Sequence, residues 1–279
     1  MGGLVPKVAG LFCLMAVGLS ACSKEHPAHG NLNSILWVQR SGEYEALALA
    51  VYRQAREQLD RALADTAWTA ALEQTGEFST LPPAIITDVD ETVLSNAPYR
   101  ARLVKDGVKG RLWLWRGWVE EAQAPAVPGA LEFCQYAASR GVTVFYVTNR
   151  RKKIEKSTHK NLEALGFPMK EGVDVILTKE EEEDWVSNKR ARRTKLAGRY
   201  RILLMLGDAL HDFITDSREA SNPERIAMTR KYGDYWGSKW FLVPNPMEGV
   251  WEQATYDFDT KTTPQERRAA KVSALDVSR

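Results

Sequence analysis

The sequence predicts an α/β protein built on a parallel sheet, and three features of the chain indicate this fold. Short apolar runs alternate with longer segments of helical periodicity, as in parallel strands joined by helical crossovers. Two of the runs, at 84–87 and 202–206, end on aspartates, and a third, at 144–147, ends on Thr-Asn. Because the carboxyl ends of parallel strands share one edge of a sheet, where ligands bind, we expect a functional site at that edge.

The composition bounds the classes of function. The chain has 279 residues, 44% hydrophobic and 27% charged, which is typical of a globular protein with one large domain or two small ones. The formal net charge is only +2, so a nucleic-acid partner is not expected. The sequence leaves the oligomeric state open, with a homodimer as one option.

Residues 1–21 are typical of a bacterial lipoprotein signal peptide. The apolar stretch 8–19 is too short for a comfortable transmembrane helix, and it leads into Leu-Ser-Ala-Cys at 19–22, which matches a lipobox. Cys22 would then carry acyl chains that anchor the protein to a membrane, each buried CH₂ contributing about 0.8 kcal/mol. Ser23 in place of aspartate favours the outer membrane of a Gram-negative cell. A plain signal peptide that happens to contain a cysteine is the alternative.

The first predicted elements lie before residue 84. Residues 22–33 comprise the lipidated cysteine and a polar tether. Within the N-terminal segment 34–80, apolar residues recur at three- and four-residue spacing from Ser34 to Leu72, which predicts helices with a break near Gly42. Residues 79–83 are helix breakers that introduce the first strand.

The predicted core spans 81–260, and an insertion at 99–127 interrupts its alternation of strands and helices. Together with the N-terminal helices, this tryptophan-rich insertion is expected to form a small helical cap over the site edge of the sheet. We interpret Trp113 as packing the insertion against the core. Trp115 and Trp118 are candidates for substrate contacts, with packing as the alternative for both.

Beyond the insertion the alternation resumes until a C-terminal tail at 261–279. The predicted helices lie at 128–140, 152–165 and 187–198. The predicted strands lie at 142–149, 173–178, 201–208 and 240–245.

Four aspartates follow two of the predicted strands. Asp88 and Asp90 follow the first strand, and Asp208 and Asp212 follow the run at 202–206. Four carboxylates gathered at one edge would repel one another unless a hard cation neutralised them, which predicts a Mg²⁺ site. Mg²⁺ beside a carboxylate nucleophile predicts phosphoryl chemistry. For either cluster alone, an ordinary turn or helix cap is the alternative.

Thr148 and Asn149 end another strand at the same predicted edge. A hydroxyl and main-chain N–H groups at a strand-to-helix junction suit phosphate oxygens. An ordinary cap is the alternative.

These motifs resemble those of the haloacid dehalogenase superfamily, and more closely those of the class C acid phosphatases of the bacterial lipoprotein e family. The family signature I-x-D-x-D-E-T-[VM]-L-x-N-x-x-Y stands at residues 86–99. Its second signature, G-D-[NT]-L-x-D-F, stands at 207–213 with Ala209 replacing Asn or Thr. The resemblance implies a haloacid-dehalogenase-like core that hydrolyses small phosphomonoesters, including 5′-nucleotides, through an aspartyl-phosphate.

The resemblance also implies roles for single residues. Asp88 would be the nucleophile, and Asp90 would protonate the leaving group and then activate water. Asp88, the main-chain carbonyl of Asp90 and Asp208 would hold Mg²⁺, with Asp212 in support. Thr148 would bind phosphate oxygens, as would its neighbour Asn149.

A lysine that offsets the charge of the phosphate is implied by the same resemblance. Lys189 opens a Ser-Asn-Lys-x-x-Arg segment similar to the lysine-containing helix start of the family, and we prefer it to Lys195, interpreted as a surface residue. Where the family commonly has a base-stacking tyrosine, this chain has Glu248, so we expect a weaker preference for nucleotides. The alternatives are a phosphotransferase with the same intermediate and a non-catalytic lipoprotein that binds a ligand such as haem.

Overall fold

Five strands form one parallel sheet in the computed structural model, which describes residues 2–3, 30–247 and 249–278. The sheet order is β3-β2-β1-β4-β5, and each neighbouring pair is parallel. The predicted α/β fold with a parallel sheet is therefore confirmed. The strands are β1 (Pro83–Thr87), β2 (Thr143–Arg151), β3 (Ile176–Lys179), β4 (Arg201–Gly207) and β5 (Trp240–Leu242).

Helices flank the sheet. None of the helices in the described ranges is both long enough and apolar enough to cross a bilayer. The long helix α2 packs against α5 and against strands β4 and β5. The helices are α1 (Leu32–Arg40), α2 (Gly42–Ala64), α3 (Ala97–Lys105), α4 (Leu112–Glu121), α5 (Ala130–Ser139), α6 (Glu155–Leu165), α7 (Arg190–Ala197), α8 (Asn222–Lys231), α9 (Val250–Gln253) and α10 (Pro264–Ser273).

The strand order places a topological switch point beside β1. The chain moves outward from β1 to β2 and β3, and then returns to β4 on the other side of β1. In open α/β sheets, ligands bind outside the carboxyl ends of the strands at such a reversal. Every residue of β4 is buried, as expected for an apolar strand covered on both faces. The polar residues that follow β1 and β4 are thus brought to one crevice.

The long N-terminal helix ends at Ala64, so the predicted continuation to Leu72 is wrong. The indole N–H of Trp68 donates to the carbonyl of Leu203 at 2.7 Å, and the main-chain N–H of Ala70 donates to another β4 carbonyl at 2.7 Å. β5 pairs only with the last three residues of β4. The segment after α2 leaves the helical path because it satisfies the β4 carbonyls that β5 does not reach.

The insertion forms α3 and α4, with α1 packed against α3 and α4 packed against α6. The packing role expected for Trp113 is wrong, because this side chain lies on the outer face of α4 and is 68% exposed. The predicted signal peptide, Cys22 and the tether up to residue 29 lie outside the described residues, apart from residues 2–3, and so does Glu248. Helix α1 begins at Leu32, inside the segment expected to be a tether.

Candidate active site

Three carboxylates gather at the switch point of the sheet. Asp88 directly follows β1, Asp208 directly follows β4, and Asp212 lies in the 3₁₀ turn after β4. One oxygen from each of the three lies within 4.8 Å of the others. Several oxygen ligands with no nitrogen or sulfur donor suit a hard divalent cation such as Mg²⁺. This donor set fits a metal centre, whereas the carboxylate of Asp90 lies outside it.

Gly207 allows Asp212 to fold back onto the end of β4. A Cβ atom at position 207 would lie 2.5 Å from Oδ2 of Asp212, so any side chain there would overlap the carboxylate. The main-chain N–H of Ala209 donates to the same oxygen at 3.1 Å. The turn therefore requires glycine at the strand end, and it fixes one carboxylate of the cluster.

Asn245 holds a second carboxylate of the cluster from the loop after β5. Its Nδ2 donates to Oδ2 of Asp208 at 2.7 Å. Its Oδ1 accepts the main-chain N–H of Met247 at 3.0 Å, which fixes the orientation of the amide. Asp208, which follows β4, is thus held by a residue from the loop after β5.

Lys189 lies inside the carboxylate cluster. Its buried ammonium donates to Oδ1 of Asp88 and, at 2.7 Å, to Oδ1 of Asp212. Burial by itself would lower the pKa of Lys189, but the two carboxylates outweigh it and the pKa lies above its usual value. Lys195 instead lies on the surface, paired with Glu182. Of the two candidate lysines, the structure brings only Lys189 to the site.

Burial and mutual repulsion favour protons on Asp88 and Asp208 in the absence of a cation. At Asp212, burial is outweighed by Lys189 and His211, which hold the pKa of this carboxyl below its usual value. Burial raises the pKa of Asp88 to about 7, with Lys189 opposing the shift and Asp212 adding to it. Burial also raises the pKa of Asp208 well above its usual value, and Asp212 and Asp88 add to that shift. A bound cation would replace these protons as the source of neutralising charge.

Asp90 lies beside the metal cluster in its own set of hydrogen bonds. Its Oδ1 accepts Nδ2 of Asn96 at 2.9 Å and Nη2 of Arg150 at 2.8 Å. The side chain of Arg150 is almost completely buried, so its charge has no bulk water to solvate it and depends on this carboxylate. A metal contact through the main-chain carbonyl of Asp90 stays a prediction.

Thr148 and Asn149 lie at the end of β2, next to Asp88. Thr87, the last residue of β1, pairs with Tyr146 of β2, which places Asp88 beside the residues that follow Tyr146 within β2. Thr148 is fully buried, and its hydroxyl oxygen accepts the main-chain N–H of Arg150 at 3.1 Å. Its hydroxyl hydrogen is suited to donate to a substrate oxygen.

The side-chain amide of Asn149 is engaged at both ends within the protein. Its Nδ2 donates to the carbonyl of Ser187 at 3.0 Å, and its Oδ1 accepts Nη2 of Arg192 at 2.8 Å. Its predicted contact with phosphate therefore stays a prediction, which the main-chain N–H could fulfil without breaking either bond.

The two tryptophans proposed as substrate contacts differ in exposure. Trp118 is buried, and its indole N–H donates to Oδ1 of Asn96 at 2.8 Å. Trp115 is half-buried, with the guanidinium carbon of Arg150 5.6 Å from its ring centroid. Only Trp115 offers exposed ring surface, so the substrate contact predicted for Trp118 has no support from its placement.

Sequence reasoning missed the residues that hold the predicted ones in place. Each lies within or next to a motif already singled out, but none carries a pattern that reveals its partner. These residues are Asn96, Arg150, Arg192, Arg193 and Asn245.

Comparisons with known proteins show the family to which this chain is similar. The family described as HAD superfamily, subfamily IIIB (Acid phosphatase), matches residues 23–251. The class C acid phosphatase from Bacillus anthracis has a similar structure, with a TM-score of 0.78 and 33% identity over 91% of this chain and 100% of that chain. The tungstate-bound structure of the class C acid phosphatase from Bacillus anthracis has the same TM-score at 34% identity, over 90% of this chain and 99% of that one. These matches confirm the resemblance noted from the sequence.

More distant relatives occur in plants. Vegetative storage protein 2 of Arabidopsis thaliana is 28% identical over 165 residues, which cover 58% of this chain and 54% of that protein. The chain spans about half the length of the plant relatives that it matches first.

Gly207→Ala should disrupt the carboxylate cluster because the added methyl group occupies the position of the Asp212 carboxylate. We expect the affinity for Mg²⁺, measured by isothermal titration calorimetry, to fall at least about tenfold, or about 1.4 kcal/mol. Gly117→Ala is the control, because a Cβ there meets no atom within 4 Å. Equal affinities in the two variants would contradict the requirement for glycine.

Proposed function

The chain belongs to the acid phosphatases of subfamily IIIB of the HAD superfamily, which are phosphomonoester hydrolases, and we propose that it is a Mg²⁺-dependent acid phosphatase that works through an aspartyl-phosphate. The observation that carries the proposal is the position of Asp88. It lies at the switch point, in contact with Lys189 and within one cluster with Asp208 and Asp212. A buried carboxylate with a lysine and a cation site beside it suits attack on a phosphate dianion.

Asp88 would hold Mg²⁺ together with Asp208, Asp212 and the main-chain carbonyl of Asp90. When bound, the ion would neutralise charge on the phosphate and on the carboxylates. Lys189 would orient Asp88 and Asp212, to both of which it donates, and would offset part of their charge.

The reaction would proceed in two displacements at phosphorus. In the first, a carboxylate oxygen of Asp88 bonds to phosphorus while the ester P–O bond breaks, and Asp90 gives its proton to the departing oxygen. In the second, Asp90 takes a proton from water, whose oxygen bonds to phosphorus as the acyl-phosphate P–O bond breaks. Phosphate leaves, and Asp88 and protonated Asp90 are restored.

Small phosphomonoesters, including 5′-nucleotides, are the proposed substrates. The bound tungstate of the Bacillus anthracis relative supports an oxyanion site in that protein, since tungstate is tetrahedral like phosphate. Trp115 supplies an aromatic surface beside Asp90 in this chain. A weak preference for nucleotides, argued from Glu248, stays a prediction.

A lipid anchor at Cys22 in the outer membrane is proposed from the sequence at 19–22. The region that matches the family begins at residue 23, so cleavage before Cys22 would remove none of it. Export would let the enzyme release phosphate from esters that cannot themselves cross the inner membrane.

Asp88→Asn should abolish turnover, because the amide keeps the shape of the side chain but cannot form the acyl-phosphate. With p-nitrophenyl phosphate and Mg²⁺, we expect kcat to fall by at least about a thousandfold, or about 4 kcal/mol. Asp106→Asn, at an exposed aspartate after α3, is the control and should keep wild-type activity. A folded Asp88→Asn variant with more than about a tenth of wild-type activity would show that Asp88 is not the nucleophile.

Binding of Mg²⁺ should strengthen as the pH rises towards 7. The pKa of Asp88 is about 7 in the folded protein, which is above its ordinary value. The proton on Asp88 therefore stabilises the metal-free fold at low pH. This stabilisation is lost as the pH rises through 7. Mg²⁺ must displace that proton, so its affinity should fall by up to about tenfold for each pH unit below 7. The rise in Tm on adding Mg²⁺ to EDTA-treated protein should therefore grow from pH 5 to pH 8. A rise in Tm independent of pH would contradict this linkage.

Cys22→Ser should prevent acylation, because serine lacks the thiol that accepts the lipid. Cells fed an alkyne fatty acid should label the wild-type protein but not this variant. Cys134→Ser, at a buried cysteine within α5, is the control and should still be labelled. Labelling of Cys22→Ser at the wild-type level would exclude Cys22 as the anchor.

A further inference from the structure

We propose that helix α4 of the insertion positions Asp90, acting through Trp118 on Asn96 and through Trp115 on Arg150. The proposal rests on the proposed function, in which Asp90 transfers the proton of the leaving group. It makes Trp118, Asn96 and Arg150 positioning residues, and it gives the insertion a role in the chemical step.

Asp90 needs such support because no strand ladder fixes it. It lies beyond the end of β1 and makes only an isolated bridge to Leu94. The next residue, Glu91, is buried with φ at 58°, a left-handed conformation that is costly for a residue other than glycine. The carboxylate of Glu91 accepts the main-chain N–H of Asn96 at 2.6 Å. Main-chain bonds such as that from Glu91 N–H to the carbonyl of Leu94, at 2.8 Å, close the loop, but they leave the side chain of Asp90 to be fixed by its own contacts.

Trp118 anchors the side-chain amide of Asn96. The amide is fully buried, and its Nδ2 donates to Oδ1 of Asp90 at 2.9 Å and to Oε2 of Glu91 at 3.0 Å. Its Oδ1 accepts the indole N–H of Trp118 at 2.8 Å. If the amide turned over, its NH₂ would face the indole N–H and its oxygen would face two carboxylates, so both ends would be mismatched. The indole N–H and the two carboxylates thus favour the same orientation, and the indole N–H anchors the buried amide from its oxygen end.

Trp115 covers the second donor to Asp90. The guanidinium of Arg150 donates to Oδ1 of Asp90 from Nε at 3.0 Å and from Nη2 at 2.8 Å. Its Nη1 donates to the hydroxyl of Thr158 at 3.2 Å. The ring of Trp115 lies 5.6 Å from the guanidinium carbon, within the range of a cation–π contact. Residues 115 and 118 are one helical turn apart, so one face of α4 reaches both donors.

The two donors fix the carboxylate of Asp90 asymmetrically. Three N–H groups converge on Oδ1, whereas Oδ2 has one longer contact, 3.3 Å from Nε of Arg150. Oδ2 is therefore the oxygen left to face the leaving group. Rotation of the carboxylate about its Cβ–Cγ bond would break all three hydrogen bonds to Oδ1 at once.

The experiment compares two substrates with different needs for proton transfer. p-Nitrophenolate leaves readily without a proton, whereas an alkoxide from an alkyl phosphate such as phosphoethanol does not. Trp118→Phe keeps the ring and removes the N–H. We expect it to lower kcat/KM for the alkyl phosphate by about tenfold and that for p-nitrophenyl phosphate by less than about threefold. Trp113→Phe, at the exposed tryptophan of the same helix, should change neither.

The outcomes separate this inference from the proposed function. Asp90→Asn should show the same selectivity as Trp118→Phe, with a larger loss. If the wild-type enzyme hydrolyses neither ester, or if Asp90→Asn lowers kcat/KM for both esters equally, the proposed role of Asp90 fails and the inference fails with it. The ratio kcat/KM reports the steps up to the acyl-phosphate, so the later activation of water by Asp90 does not enter it. If Asp90→Asn is selective but folded Trp118→Phe is not, only the positioning role is overturned. Should Trp118→Phe not fold, Arg150→Lys, which keeps the charge but loses the two-nitrogen contact, must show the selective loss instead.

Discussion

Repulsion among three crowded carboxylates at the edge of β1 and β4 is the constraint on which the rest of the site depends. Asp88, Asp208 and Asp212 carry three negative charges when ionised, and Lys189 returns one positive charge, which leaves two in excess. A divalent cation would balance that excess, and protons are the alternative at low pH, as the raised pKa of Asp88 indicates. Glycine at position 207 leaves the space that the Asp212 carboxylate occupies in this cluster. The site is therefore a high-energy arrangement that the fold must hold together from several elements.

Helix α7 supplies much of that support. Arg192 donates to the main-chain carbonyl of Thr148 at the end of β2. Arg193 donates to the main-chain carbonyl of Asp212 at 3.0 Å and forms an ion pair with Glu73 at 2.6 Å. A buried guanidinium group is costly unless its N–H groups have acceptors. The acceptors here include main-chain carbonyls of the site, so the same bonds that satisfy the two arginines also hold the site in place. One short helix thus links the ends of β2 and β4, on either side of β1.

The strands and the carboxylate cluster could be predicted because they depend on local pattern and on one rule of topology. Other elements and contacts were not predicted, for different reasons. Helices α8 and α10 were missed although Ser221 and Thr263 each begin a capping box, with glutamate three residues later and proline in the first turn. The support of Asp90 could not be derived, because Arg150 lies 60 residues away in the chain and no pattern in either segment specifies the other. Tertiary contacts also override periodicity after α2, where the chain follows β4 rather than the helical pattern.

The site is therefore assembled from two sources that can vary independently. The sheet and α7 fix the nucleophile and the cation ligands through β1, β4 and Lys189. The insertion fixes Asp90 through Asn96, whose amide is oriented by Trp118, and through Arg150 beneath Trp115. The first set governs attack at phosphorus, which every phosphomonoester requires. The second governs the position of Asp90, which activates water for every ester and protonates the leaving oxygen to a degree that depends on the alcohol that departs. Sequence changes in the insertion can thus alter which esters are hydrolysed while the metal centre stays intact, because Trp115 and Trp118 act on the two donors to Asp90 rather than on the cation ligands.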